Sequence, residues 1–193
     1  MVSKTRDKFI EVARQLFARK GVENTTMNDI ASASDKGRRT IYTYFKSKRD
    51  IFNAVIESET DTIMAHLRLI LAKPIPPDEK IREYISIRFD TMRDIVGRNG
   101  SLRAGFFRDV RKVDRARRII SNKETALLSE ILYEGKSSGD FNIENVKQMA
   151  IIIINAVHGL VVPYIRDNFA SDGITREMIK DSLTNLILNG IKN

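Results

Sequence analysis

Residues 38–50, RRTIYTYFKSKRD, set Arg38, Arg39, Thr40, Tyr42, Thr43 and Tyr44 in front of Lys46 and Lys48. Guanidinium, hydroxyl and ammonium groups at this density suit a partner made of hydrogen-bond acceptors. Arginine can bridge O6 and N7 of guanine, and threonine can offer a hydroxyl or pack its methyl on thymine. Tyrosine hydroxyls and lysines more often reach phosphate oxygens, which position a protein without reading sequence. The bland alternative is a solvated surface in which the tyrosines cover core edges and the arginines face water. Other chemistry finds little footing. There are two histidines, His66 and His158, and no cysteine. Glu-x-x-His pairs, glycine-rich phosphate loops and Ser/His/acid motifs are missing, so neither an enzyme, a metal site nor a cofactor is expected.

The elements that must position these groups are helical. No strand-like alternation with hairpin signals occurs, and spacing of i, i+3, i+4, i+7 recurs along the chain. Phe9, Val12, Ala13, Leu16 and Phe17 form an apolar stripe over about 3–20, with Gly21 where a C-cap belongs. Thr26 and Asp29 read as a capping box opening a short second helix, whose inner side is Met27, Ile30 and Ala31. SDKG, residues 34–37, is turn chemistry. In a third helix over 38–45, at about 100° per residue, Ile41 and Phe45 mark the buried side. Arg39, Thr40 and Thr43 then face outward, Tyr42 and Tyr44 flank them, and Arg38 reaches around the helix end. Ser47 and Asp50 form a second capping box before a long helix to about 72. Two short helices joined by a four-residue turn, the second bearing donors outward, fit the helix-turn-helix whose second helix enters the major groove. Charge agrees: residues 1–50 hold twelve Lys or Arg against six Asp or Glu, so +6 of the net +8 lies there.

The run FARKGVENTTMNDIASASDKGRRTIYTYFKSKRDIFNAVI, residues 17–56, resembles the N-terminal domain of the TetR (tetracycline repressor) family of bacterial transcriptional regulators. TIYTYFKSKRDIF is similar to that family's third helix and the opening of its fourth. The resemblance implies a helix-turn-helix DNA-binding domain over 1–48 and an effector-binding and dimerisation domain over 49–193. Thr26 and Lys48 would contact phosphate, Arg38, Arg39, Thr40 and Thr43 would lie near bases, and Tyr42 and Tyr44 would sit at the groove wall; Lys46, beside Lys48 at the start of the fourth helix, would add charge toward phosphate. The implied partners are a double-stranded DNA operator, an unknown small-molecule effector and a second copy of the chain, paired through the last two helices. The implied activity is regulation, most readily repression, relieved or modulated by the effector. Where the family usually has glycine and then an aliphatic in the turn, this chain has Asp35 and Lys36. Asp35 is therefore expected to take the left-handed conformation. The competing reading is a non-specific nucleic-acid or partner-binding helical module.

After the break KPIPPDEK the periodicity predicts helices over about 77–96, 101–112, 114–136, 142–168 and 175–191, about nine in all. Tyr84, Phe89, Met92, Phe106, Phe107, Tyr133 and His158 are the candidates for lining a ligand pocket, although aromatics at helical spacing are ordinarily core. His158 lies on the most apolar helix, and once buried its ring must find a partner. Seven Lys or Arg between 103 and 118 could attract an acidic effector or form a solvated helix pair. MAIIIINAVHGLVVPYI, residues 149–165, is interrupted by Asn155, His158, Gly159 and Pro163, and is read as a buried helix rather than a membrane span. The N-terminus lacks the features of a secretory signal, and a cytoplasmic protein is the expectation.

Overall fold

The structure of the chain, a computed structural model, describes residues 2–98 and 110–192, with side chains from 4–97 and 121–192. It is all-α: α1 (Val2–Lys20), α2 (Met27–Ala33), α3 (Arg38–Tyr44), α4 (Lys48–Leu71), α5 (Pro77–Arg98), α6 (Val110–Ser138), α7 (Val146–Arg166) and α8 (Arg176–Ile191). A single 3-10 turn, Ala170–Asp172, precedes α8. The one extended pairing among the described residues is an isolated antiparallel bridge between Phe141 and Lys192.

Local chemistry sets most boundaries. Gly21 stops α1 at φ +86°, with its N–H returned to the Phe17 carbonyl. Ser47 accepts the Asp50 N–H and starts α4. Pro77 opens α5 with Asp78 and Glu79 in its first turn, where carboxylates suit the helix dipole. Thr175 accepts the Met178 N–H at the head of α8.

Two expectations need correction. Helix α6 is continuous from Val110, with no break between 112 and 114, because no glycine or proline interrupts 110–134; residues 101–109 of the expected separate helix lie outside the described residues. Helix α7 starts at 146 rather than about 142. Phe141 and Ile143 are buried in the preceding segment, the Asn142 N–H is bonded to the Ile191 carbonyl, and Asn145 caps Gln148. It ends at Arg166 because Asp167 turns left-handed at φ 57°.

The chain divides into two compact units, Met1–Asp61 with Ile95–Arg117 and Thr62–Asp94 with Arg118–Asn193, as far as those residues are described. The core of the first is Phe9, Ala13, Leu16 and Phe17 of α1, Ile30 and Ala31 of α2, Ile41 and Phe45, and Ile51, Phe52 and Val55 of α4. The second buries Leu67 and Ile70 of α4, Ile81, Tyr84, Ile85 and Phe89 of α5, Leu128 and Ile131 of α6, one side of α7, and Leu183, Leu188 and Ile191 of α8. Ion pairs tie its helices together: Lys80 to Glu134 at 2.8 Å and Lys192 to Asp78 at 2.6 Å. By length and composition α7 could cross a membrane, yet Ala150, Ile153, Ile154, Val157, Val161 and Tyr164 are buried within this unit.

Gly135 is required by packing rather than by φ. A methyl group there would collide with the buried Phe141 ring, which is held in place as the Phe141 backbone N–H donates to the Gly135 carbonyl. Gly135→Ala is expected to cost about 1–3 kcal/mol through overpacking, read as a lower denaturant midpoint. An unchanged midpoint would mean that Phe141 has somewhere else to go.

Candidate nucleic-acid interface

The seven-residue helix α3 is held by one buried residue of its own, Ile41, and by Phe45, which caps it in an extended conformation. With that side fixed inward, the rest of the helix is set outward. Arg38, Arg39, Tyr42 and Thr43 are exposed, and Thr40 is half-buried. The Arg38 guanidinium lies 5.8 Å from the Tyr42 ring centroid, so the two extend together along one flank. Thr43 donates its hydroxyl proton to the Thr40 carbonyl at 2.6 Å, which leaves its oxygen as an acceptor. Arg39 and Lys46 are exposed and engage no ion-pair partner among the described residues.

The two tyrosines differ. Tyr42 is exposed, whereas Tyr44 is half-buried against the core with its ring 5.8 Å from Phe9. Lys48 is also partly committed, because its ammonium donates to the Glu23 carbonyl at 3.0 Å and ties the start of α4 to the α1–α2 loop. Thr26 is exposed in a complete capping box: its oxygen accepts the Asp29 N–H at 3.1 Å, and Asp29 accepts the Thr26 N–H at 2.9 Å. Those bonds from Thr26, helped by the Lys20 charge, hold the Asp29 carboxyl below its ordinary value. Sequence reasoning missed Arg6, whose guanidinium sits 5.4 Å from the Phe45 ring centroid and adds positive charge beside the end of α3. Its exposed place on α1 was legible; its neighbour, on a different helix, was not.

The turn explains the aim of α3. Asp35 takes φ 54°, and the N–H groups of Asp35 and Lys36 return to the carbonyls of Ser32 and Ala31 in a Schellman arrangement. Lys8 pairs with the Asp35 carboxylate at 3.1 Å. Gly37 precedes α3 at φ −70°, a value open to any residue.

Of the seven pocket candidates, Tyr84, Phe89, Met92 and His158 are buried in the second unit. Tyr133 is 64% exposed and stands apart from them. Phe106 and Phe107 lie outside the described residues, as do the side chains of the basic 103–118 segment. The partner that His158 needed is Glu124, whose Oε2 accepts from Nε2 at 2.8 Å, while Oε1 accepts from Arg88 Nε. Burial pushes the Glu124 carboxyl up, but the Arg88 charge and the His158 bond outweigh it and hold it below its ordinary value. Neither Arg88 nor Glu124 is distinguishable in sequence from the surface charges around it. No group of three or more His, Cys, Asp or Glu among the described residues is placed to hold a metal.

Two family models match the chain: bacterial regulatory proteins of the tetR family over residues 9–55, and the C-terminal region of QacR-like proteins over 113–193. The chain belongs to the TetR family. The helix-turn-helix regulator QacR of Staphylococcus aureus is 24% identical over 96% of this chain and 97% of that protein. The same fold occurs in a transcriptional regulator from Cytophaga hutchinsonii, with TM-score 0.76, 22% identity, and 97% of this chain and 98% of that one covered. It occurs also in a regulator from Saccharomonospora viridis solved in complex with choline, with TM-score 0.74, 18% identity and 99% of both chains covered. This TetR-family chain is therefore a helix-turn-helix transcriptional regulator and not an enzyme. Regulators of this family bind DNA operators and small-molecule effectors, typically as dimers.

Asp35→Gly removes the side chain from a left-handed backbone and gives up only an exposed ion pair. Stability should rise by up to about 1 kcal/mol. A fall in the denaturant midpoint would show that the Lys8 pair outweighs the strain.

Proposed function

We propose that this TetR-family regulator is a cytoplasmic repressor that binds its operator as a homodimer and is released when a small molecule enters the C-terminal helical domain. The reading domain would be residues 1–48, and the effector and dimerisation domain 49–193. The observation that carries the reading is the outward side of α3, where Arg39, Tyr42 and Thr43 are exposed above the buried Ile41 and Phe45. Arginine and threonine side chains on a short helix of this kind are suited to base edges in the major groove. Thr26, Lys46 and Lys48 would take phosphates, with Tyr42 and Tyr44 along the groove wall. Helix α4 carries the chain onward from the reading domain, so a ligand that displaced α4 would change the separation of two reading heads. That separation is matched to one turn of DNA, about 34–36 Å.

The dimer reading rests on apolar surface left outside the core of the second unit. Ile151 and Ile152 on α7 and Met178 and Leu186 on α8 are exposed, Leu186 by 72%. A two-fold arrangement that pairs α7 and α8 with their copies would cover them.

Two experiments test these readings. Arg39→Ala should reduce discrimination between the DNA upstream of the protein's own gene and random DNA. Lys46→Ala should weaken binding to both and flatten the salt slope by about one unit. Isotherms unchanged in both variants would reject α3 as the reader. Equal affinity of the unaltered protein for both DNAs would favour the non-specific module. For the dimer, Leu186→Glu should shift the sedimentation coefficient from dimer to monomer at micromolar concentration, and a persistent dimer would place the interface elsewhere.

A further inference from the structure

Two polar atoms of the second unit are buried without a hydrogen-bond partner among the described residues, the Tyr84 hydroxyl and Arg88 Nη1. Residues 84 and 88 are one turn apart on α5 and share a face. The surroundings make the pair more than a packing accident. Buried donors left unsatisfied are costly, so each one in a native fold calls for an explanation such as a missing ligand. Both are donors here: guanidinium nitrogens can only donate, and burial together with the Glu124 charge pushes the Tyr84 hydroxyl well above its ordinary value, so that it keeps its proton.

The nearby acceptors are already spoken for. Glu124, fully buried, gives Oε1 to Arg88 Nε and Oε2 to His158 Nε2. What the cluster has to spare is therefore N–H and O–H, beside a cation. A ligand ammonium would meet the Arg88 charge, and both Glu124 oxygens are already engaged by Arg88 and His158. A ligand carboxylate would meet two donors, and a guanidinium with five N–H groups can serve two carboxylates at once. The residues beside these groups along their helices, Ile81 and Ile85 on α5, Leu127 and Leu128 on α6 and Val157 on α7, are buried and aliphatic. They suit an apolar body.

Resting on the effector reading above, we infer that the effector is an apolar organic acid whose carboxylate is received by Arg88 Nη1 and the Tyr84 hydroxyl, between α5, α6 and α7. Arg88 supplies charge, Tyr84 direction, and Glu124 with His158 holds the guanidinium in place.

The test uses the full chain with butanoate, octanoate and dodecanoate as probes, each beside its alkanol and its alkyltrimethylammonium analogue, by titration calorimetry. At least one acid should bind, at least tenfold more tightly than its alkanol, and the ammonium analogue should not bind detectably. Tyr84→Phe should lower the affinity for that acid about tenfold while leaving the thermal midpoint of the ligand-free protein equal or higher. Arg88→Met should abolish acid binding, and Tyr84→Phe decides the matter should Arg88→Met fail to fold. Binding of no acid, alkanol or ammonium binding as tight as the acid, or an acid affinity unchanged in Tyr84→Phe would overturn the inference. Anisotropy with DNA from upstream of the gene separates the two claims. Retained DNA binding with no acid bound overturns this inference alone, whereas acid bound without any change in DNA affinity keeps the carboxylate site but overturns its assignment as the effector's.

Discussion

The burial of Ile41 and Phe45 is the interaction on which the proposed reading surface depends. A helix of seven residues is far below the length at which a helix holds itself in water. Helix α3 exists because two apolar side chains enter a core assembled by α1, α2 and the first turns of α4. Arg38, Arg39, Tyr42 and Thr43 are thereby relieved of structural work and can be polar, exposed and directed at a partner, while Tyr44 adds a half-buried contact with Phe9. The capping box of Thr26 and Asp29, the Schellman turn at Asp35 and the Lys48 bond to the Glu23 carbonyl set the angle at which that surface is presented.

The second unit uses burial in the opposite sense. There polar groups are held by one another, with the buried Glu124 between Arg88 and His158 and the half-buried Asp90 accepting from Tyr164 and Lys180. Such groups often stabilise a fold less well than well-packed hydrocarbon of the same volume would. Because the Glu124 carboxyl is held below its ordinary value, its contribution to stability is present above the unfolded value and is lost as the pH falls through the folded one.

Features governed by neighbours in sequence were legible before the fold was known. The stripe Phe9, Ala13, Leu16 and Phe17, the Thr26–Asp29 and Ser47–Asp50 caps and the left-handed Asp35 are all consequences of spacing and turn chemistry over a few residues. Features governed by packing were not. Arg88, Glu124 and His158 come from three helices and read singly as two solvated charges and an isolated ring. Tyr133 has the composition of a core residue, yet it is 64% exposed, with its side of α6 uncovered among the described residues. The start of α7 depends on a bond from Asn142 to the far end of α8, which no local pattern could indicate.

The most direct test of the central claim, that the outward side of α3 enters the major groove, is base-methylation interference on DNA from upstream of the gene. Methylation of guanine N7, which lies in the major groove, should block binding at two clusters of positions whose centres are about one helical turn apart. Interference confined to adenine N3 in the minor groove, or none at any base, would contradict it.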